Sequence, residues 1–411
     1  MSLRVKKKII NSDNCKVKKN NIKRKKKIHN KENDNENSKD ISILSYDNLR
    51  SIFSYLLARD LWNSSAVCRL WLDVAKRELD TRGVVVKAGA FDALYKQCGS
   101  STHFTNYLTN KPMLGLFFNS SDCEYPECAA KYFPLDSYCI SISNYGVILN
   151  NEELENVRNY SAFTFLPDDP DVDIDLITTN NLSMILTNKK RGRFKSVSTA
   201  FWRSYGASIG AVYQSFRTSV RRLRQVKCVI IFMNETAECL LEPTIPDIFD
   251  KKVKVVWGGV CTNISVMSVC KPGTKTTSKP LWLGLLISGR NVRCWSTILT
   301  EEDKTDEDIR AKLIELKERV DLLKHTVAFM FACVSRGSEY YLGRKNVESS
   351  IFKSIFPDIP LTGSFGNGEY GTYSLRNNHN GEGIYHQFST TFMILSYGIA
   401  ARRETRNGAS Y

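Results

Sequence analysis

Apolar positions between residues 41 and 83 recur at helical spacing and predict three short helices. The first helix carries apolar side chains three to five residues apart: Leu44, Leu49, Ile52, Phe53 and Leu56. A second helix is predicted from an N-cap at Asp60 to Leu70. A third follows from Trp71 to about Leu79, and Gly83 ends the set. So small a core rarely stands alone, and we expect this module to dock on a partner.

After Gly83 the pattern changes to short apolar runs, which are typical of buried strands. The order strand, helix, proline, strand, glycine segment, strand occurs three times, and the prolines Pro134, Pro246 and Pro357 stand 112 and 111 residues apart. The predicted strands are Leu114–Phe118, Tyr138–Ile142, Ala162–Leu166, Cys228–Met233, Val253–Trp257, Trp282–Ile287, Val327–Ala332, Ile359–Thr362 and Thr391–Leu395. We therefore predict an α+β protein, with a small all-α module followed by a mixed α/β domain of repeated strand–helix–strand units.

The same patterns predict the domain boundaries. Residues 1–39 form a basic tail, 40–83 the helical module, 84–226 a first unit with insertions, 227–310 a second unit and 311–411 a third. Gly146 and Gly258-Gly259 are expected between consecutive strands. The acidic segment Asp168–Asp175 and the basic segment Lys189–Arg224 are expected as surface insertions.

Charge is concentrated at the amino-terminal end. The net charge is +15, but residues 1–31 hold 13 Lys and Arg against one Asp, which leaves the other 380 residues at +3. Residues 1–39 contain eight Asn and no Phe, Trp or Tyr, so this tail is predicted to be disordered. Without aromatic side chains for base stacking, the tail is not expected to take nucleic acid as its partner.

The tail also carries a candidate import signal, the run Lys23, Arg24, Lys25, Lys26 and Lys27. A low-complexity extension without a receptor is the alternative. The chain has no apolar run of membrane-spanning length, no signal-peptide pattern and 12 Cys without a C-x-x-C pair, which favours free thiols. We expect an intracellular protein, in the nucleus and the cytoplasm.

The helical module resembles an F-box. The segments that carry the resemblance are Leu44–Leu56, Asp60-Leu61 and Val67–Trp71, with Ser45 where the family usually has Pro. The resemblance implies binding to a Skp-type adaptor of a cullin–RING ubiquitin ligase. The implied adaptor-binding residues are Leu44, Leu49, Ile52, Phe53, Leu56, Leu61, Val67, Cys68 and Trp71.

The third unit resembles the FIST domain, which bacterial sensory proteins share with one F-box subfamily. Phe329–Gly337 and Gly363–Gly371 carry this resemblance. It implies that the body is FIST-like, with a FIST_N unit over residues 84–226, a second FIST-like unit over 227–310 and a FIST_C unit over 311–411.

Two features of the third unit are candidate substrate or ligand sites. The four-glycine segment 363–371 exposes backbone N–H groups, and Gly366, Asn367, Gly368 and Glu369 are candidates for binding a small polar or amino ligand. Tight turns between strands are the alternative. Cys333 precedes Arg336 by three residues, and a nearby guanidinium lowers a thiol pKa; a buried inert thiol is the alternative.

The sequence favours a non-catalytic substrate receptor over an enzyme. None of the five His has a Cys–His or Ser–His context, no Cys/His cluster has metal-ligand spacing, and no P-loop is present. The predicted partners are the Skp-type adaptor, the cullin–RING scaffold and a substrate protein, with no membrane, cofactor or metal. A small-ligand-sensing domain on an F-box scaffold is the alternative function, and an enzyme with Cys333 as nucleophile is a third.

Overall fold

The structure is a computed structural model that describes residues 44–95, 105–121, 123, 133–134, 137–178, 226–235, 253, 255–271, 274–373 and 384–399. The helical module (residues 44–82) contains α1 Tyr46–Phe53, α2 Ala58–Ser65 and α3 Arg69–Thr81. Three helices are therefore present, as predicted, but α2 ends at Ser65 and not at Leu70, which lies in α3. The predicted cap is wrong, because Asp60 lies in the first turn of α2 and Leu57 occupies the N-cap without a side-chain bond.

The rest of the described chain is mostly strand. The helices are α4 Phe91–Tyr95, α5 Asp306–Arg319 and α6 Val347–Ile355. The strands are β1 Val85–Ala90, β2 Pro112–Ser120, β3 Tyr138–Asn144, β4 Gly146–Leu149, β5 Glu152–Glu155, β6 Tyr160–Pro167, β7 Val172–Thr178, β8 Val226–Asn234, β9 Val255–Cys261, β10 Asn263–Lys271, β11 Thr274–Ser278, β12 Trp282–Gly289, β13 Val292–Leu299, β14 His325–Cys333, β15 Leu361–Gly366, β16 Glu369–Gly371, β17 Tyr385–His386 and β18 Thr390–Tyr397. A helical module followed by a sheet-rich domain confirms the predicted α+β class.

The described strands form three six-stranded sheets that share one topology. The sheet orders are β1-β6-β2-β3-β10-β11, β7-β12-β8-β9-β16-β17 and β13-β18-β14-β15-β4-β5. Each sheet takes four strands from one unit and a hairpin from another, where β1–β6, β7–β12 and β13–β18 are units one, two and three. In each unit the second and third strands are parallel. The repeated strand order predicted from the sequence is therefore present among the described strands, and the exchange of hairpins was not predicted.

Backbone hydrogen bonds at the entrances to the hairpins join the three units in a cycle. Tyr145 N of unit one donates to Phe365 O of unit three at 3.3 Å. Asn367 N of unit three donates to Val260 O of unit two at 3.2 Å, and Thr262 N of unit two donates to Ser143 O of unit one at 3.1 Å. Each unit therefore both donates a hairpin and receives one.

The main hydrophobic core lies where the three sheets meet. Trp257 of β9 packs its ring 5.1 Å from Phe329 and 6.0 Å from Phe331 of β14, and 5.8 Å from Phe232 of β8. Its indole N–H is satisfied within the core by Thr391 O at 3.1 Å. Because aromatic residues of units two and three fill this space together, neither sheet has a complete core alone.

Strand β14 shows why the predicted strands are continuously apolar. Phe329 and Phe331 face the main core, whereas Ala328 and Met330 belong to a second core that includes residues of α5 and α6. Successive side chains of a strand point to opposite faces, so a strand covered on both faces needs apolar residues at every position. The helix α5 starts with a capping box between Thr305 and Asp308.

The structure corrects three expectations on the sheet domain. Gly146 begins β4, and Gly258 and Gly259 lie inside β9, where Ile231 and Phe331 leave no room for a Cβ, so none of the three glycines lies between strands. Residues 172–175 of the expected acidic insertion belong to β7, which pairs with β12. Segment 363–371 is strand β15, a short turn and strand β16.

Several expectations concern residues outside the described ranges. These are the basic tail with Lys23–Lys27, the basic segment Lys189–Arg224 and the helices of the first two units. The domain boundaries stay predictions. The second and third repeated strand sets begin at β7 and β13, each one strand before the predicted unit starts at residues 227 and 311. Among the described residues, no helix combines the length and apolar character that crossing a membrane requires.

The contact between β14 and β15 gives a prediction on stability. A Cβ on Gly363 would lie well inside contact distance of the backbone carbonyl of Met330, whereas a Cβ on Gly83 would meet nothing within 4 Å. We expect Gly363→Ala to lower the free energy of unfolding by about 1–3 kcal/mol or more, because the paired backbone of β14 cannot move away. Urea unfolding followed by circular dichroism measures this. A Gly363→Ala variant as stable as Gly83→Ala would contradict the close contact.

Candidate functional site

The helical module builds its own core from five buried side chains: Leu49, Phe53, Leu61, Val74 and Ala75. Phe53 packs edge-on against the ring of Trp71, with the ring centroids 5.3 Å apart. At the start of α1, Ser45 accepts a hydrogen bond from Asn48 N at 3.3 Å, which caps the helix although the usual Pro is absent. The module is therefore internally packed before any partner binds.

Arg82 ties this module to the sheet domain. Its side chain is mostly buried, and Nε pairs with Glu78 at 3.1 Å. The guanidinium also donates to Phe53 O at the end of α1 and to Thr109 O, at 3.0 and 2.7 Å. A second tie runs from Ala58 N to Leu108 O at 3.1 Å. Charge-assisted bonds to carbonyl oxygens on both sides fix the junction.

The module exposes apolar side chains that its core does not use. We call this group the exposed apolar set: Leu44, Ile52, Tyr55, Trp62, Val67, Cys68 and Leu72. The exposed fraction is 45% for Ile52, 62% for Val67 and 74% for Trp62. Large apolar side chains exposed together on a small module are typical of a protein interaction surface.

The structure sorts the nine predicted adaptor-binding residues into three groups. Leu49, Phe53 and Leu61 are fully buried in the core of the module. Leu56 and Trp71 are partly buried against that core. Leu44, Ile52, Val67 and Cys68 are exposed and are therefore the members that can touch a partner directly. Tyr55, Trp62 and Leu72 are exposed as well and were not predicted, although the large apolar ring of Trp62 in a short helix is a signal visible in the sequence.

The second candidate region lies after β14, where Arg336 occupies a buried network. The guanidinium is 1% exposed and pairs with Glu348 Oε1, from Nε at 2.9 Å and from Nη2 at 2.7 Å. It also donates to Thr300 O at 2.8 Å, Asp303 O at 3.1 Å and Tyr341 Oη at 2.9 Å. Arg336 is thus fully engaged in joining four segments of the third unit, and it has no free donor for a substrate.

Cys333 does not have the environment of a nucleophile. Its side chain is 7% exposed, and burial together with the nearby Glu369 carboxyl raises the pKa of the thiol. The expected lowering by Arg336 is wrong, because that guanidinium is paired with Glu348. A raised pKa keeps the thiol protonated near neutral pH, which favours the inert-thiol alternative.

Glu369 is likewise a buried structural group. Its Oε2 accepts hydrogen bonds from Ser389 N at 3.3 Å and from Ser389 Oγ at 2.7 Å. Its Oε1 is buried, and no described group donates a well-formed hydrogen bond to it. Burial raises the pKa of this carboxyl to about 8. The group is 0% exposed, so a ligand in solvent cannot reach it.

The turn at Asn367 joins three units and leaves little free for a ligand. The Asn367 amide donates to Tyr145 Oη at 3.2 Å and to Glu235 Oε1 at 2.9 Å, and Tyr145 Oη donates to Glu235 at 2.5 Å. Gly366 is buried against Phe331, and Gly368 has the positive φ of +137° that a glycine tolerates. This geometry favours tight turns over ligand binding.

Among the described residues, no three His, Cys, Asp or Glu side chains lie together as a metal site would require.

Comparison with known proteins identifies the helical module. Residues 47–82 match the F-box-like family model. F-box only protein 22 of Homo sapiens is 31% identical over 154 residues, which is 35% of this chain and 38% of that protein. The Pongo abelii protein of the same name is 29% identical over 153 residues, with the same coverage. The match thus spans well under half the length of these relatives. The resemblance of the helical module to an F-box is confirmed.

The buried carboxyl of Glu369 predicts a pH-dependent stability. The unfolded chain releases this proton near pH 4.5 and the folded protein near pH 8, so the folded state loses stability as the pH rises through that window. Glu369→Gln cannot ionise, and its carbonyl oxygen can still accept from Ser389. We expect it to raise the free energy of unfolding by about 4 kcal/mol at pH 8 and by no more than about 1 kcal/mol at pH 5. Urea unfolding at both values checks this against the exposed control Glu302→Gln. Equal pH profiles in all three proteins would contradict it.

Proposed function

We propose that this chain is the substrate-recognition subunit of an SCF-type (Skp–cullin–F-box) E3 ubiquitin ligase. The helical module docks on the Skp-type adaptor and thereby on the cullin–RING scaffold. The sheet domain, which we take as FIST-like, holds a target protein for ubiquitination and proteasomal degradation. The F-box-like match over residues 47–82 supports the adaptor half of this proposal.

The observation that carries the proposal is the exposed apolar set on a module whose own core is complete. Ile52, Trp62 and Val67 stay exposed although Leu49, Phe53 and Leu61 already fill the interior. Burying each exposed side chain on a partner contributes about 1.5–3 kcal/mol. Several such contributions are needed to offset an association cost of about 4–15 kcal/mol.

In this function the chain supplies position and not bond chemistry. The ties from Arg82 to Phe53 O and Thr109 O fix the helical module against the sheet domain. A target held by the sheet domain then keeps one orientation relative to the adaptor. A fixed orientation raises the effective concentration of a target lysine at the conjugating enzyme that carries ubiquitin.

The alternative, a small-ligand-sensing domain, gains no support from the segment that suggested it. Glu369 is inaccessible, and the amide of Asn367 is engaged with Tyr145 and Glu235. The receptor function is therefore the one that the geometry favours.

Adaptor binding is tested by changing exposed residues and not buried ones. We expect the double variant Ile52→Asp/Val67→Asp to bind a purified Skp-type adaptor at least about tenfold more weakly, because it loses apolar burial and adds charge at the interface. Isothermal titration calorimetry measures the dissociation constant. Phe53→Asp is unsuitable, because Phe53 is 1% exposed and the change disrupts the module itself.

Ile314 provides a matched control for this experiment. It is 42% exposed, close to the 45% of Ile52, but it lies on α5 outside the helical module. Ile314→Asp should bind the adaptor like the unchanged protein. Equal affinity of Ile52→Asp/Val67→Asp and Ile314→Asp, with unchanged circular dichroism, would rule out docking through the exposed apolar set.

For localisation we propose the nucleus and the cytoplasm, directed by the basic run of the tail. Residues 1–39 fused to a fluorescent reporter should concentrate it in the nucleus. The matched control changes Lys23, Arg24, Lys25, Lys26 and Lys27 to Gln in the same fusion. A reporter with the same distribution in both fusions would remove the import assignment.

A further inference from the structure

A cleft of about 780 Å³ lies beside the third sheet, where the hairpin donated by unit one meets the segment that follows β14. One wall is β5 and its continuation to Val157, and the other runs from Val334 to Asn346. The walls are joined by hydrogen bonds from Ser338 N to Glu155 Oε1 and from Glu153 N to Asn346 Oδ1, both at 2.7 Å. The hairpin exchange therefore creates this cleft.

The lining of the cleft is strongly acidic. Its charged residues are four glutamates and one lysine: Glu152, Glu153, Glu155, Glu339 and Lys345. Glu152 and Glu339 are exposed, whereas Glu155 is held by Ser338 N and Oγ. Walls that carry one sign of charge concentrate the potential inside a cleft and attract the opposite charge.

Glu153 gives this cleft a buried carboxyl that no described cation neutralises. The residue is 6% exposed and lines the cleft. Its Oε1 accepts from Ser349 N at 2.6 Å, the Ser349 hydroxyl also stabilises the carboxylate, and no described Lys, Arg or His pairs with it. Burial, with the charge of Glu348, raises the pKa of Glu153 to about 7, so it ionises readily when a cation arrives. A buried carboxylate without a cationic partner favours a guest that brings one.

We propose that this cleft binds Lys or Arg side chains in an exposed segment of the target protein. The inference rests on the proposed receptor function and names the chemistry that selects the target. Ammonium and guanidinium groups bring several donors for carboxylates, and long side chains reach Glu153 from the surface. Lys345 at the cleft carries the same charge as the guest and therefore weakens its binding.

The test uses the full chain and a fluorescein-labelled peptide that alternates Lys-Arg with Gly-Ser, followed by fluorescence anisotropy at low ionic strength. We expect Glu152→Gln/Glu339→Gln and Glu153→Gln each to weaken peptide binding about tenfold, and Lys345→Gln to strengthen it about twofold. The matched control is Glu302→Gln/Glu318→Gln, which removes two exposed carboxylates outside the cleft. A control that weakens binding as much as the cleft variants, or a peptide with Gln for every Lys and Arg that binds equally, would overturn the inference.

Two further measurements separate other occupants. Free lysine and spermidine are added as competitors; displacement at the same concentration as the unlabelled peptide would assign the cleft to small amines and overturn a protein target. The variant with Lys23–Lys27 changed to Gln is compared with the unchanged chain. Peptide binding that tightens about tenfold in this variant would make the chain's own tail the occupant and also overturn the inference.

The outcome stays distinct from that for the proposed function. The cleft variants should bind the Skp-type adaptor normally, and Ile52→Asp/Val67→Asp should bind the peptide normally. If only the peptide loses its selectivity for the cleft, the cleft inference is refuted. If the unchanged chain does not bind the Skp-type adaptor, the receptor function is refuted.

Discussion

The pairing of each donated hairpin with the sheet of another unit is the constraint on which the sheet domain depends. Strand β4 pairs with β15, β10 with β3 and β16 with β9, all antiparallel. Each pairing satisfies backbone groups that would otherwise form an open sheet edge. Because the donors and acceptors form a closed cycle, removal of one hairpin leaves another unit unfinished. The shared core around Trp257 has the same consequence, because it takes side chains from all three units.

Buried charge in the third unit follows from this construction. Arg336 joins Thr300, Asp303, Tyr341 and Glu348, so the residues that suggested chemistry in the sequence serve to hold the unit together. Removing either member of the Arg336–Glu348 pair would leave an uncompensated charge in the interior, which is much more costly than the pair itself. Glu153 differs from these groups because it lines a cleft and no described cation pairs with it.

The two surfaces proposed for partners rely on different forces and occupy different parts of the molecule. The exposed apolar set offers area to be removed from water, which gives affinity with little dependence on salt. The acidic cleft offers charge, which gives selectivity and association that salt weakens. The Arg82 junction connects the two parts, so under the proposed function a bound target would keep a fixed position relative to the adaptor.

Local patterns determined much of this protein. The spacing from Leu44 to Leu56 defines an amphipathic helix, and the runs around Phe329 and Phe392 define buried strands, because both periodicities are properties of neighbouring residues. The three-fold order of elements was also visible along the chain. The tertiary structure decided which apolar residues of the module remain exposed, that Arg336 pairs with Glu348 and not with Cys333, and that β4 and β5 complete a sheet about 200 residues away. These outcomes depend on contacts between distant segments, and burial, pairing and pKa are set by such contacts and not by the residue type alone.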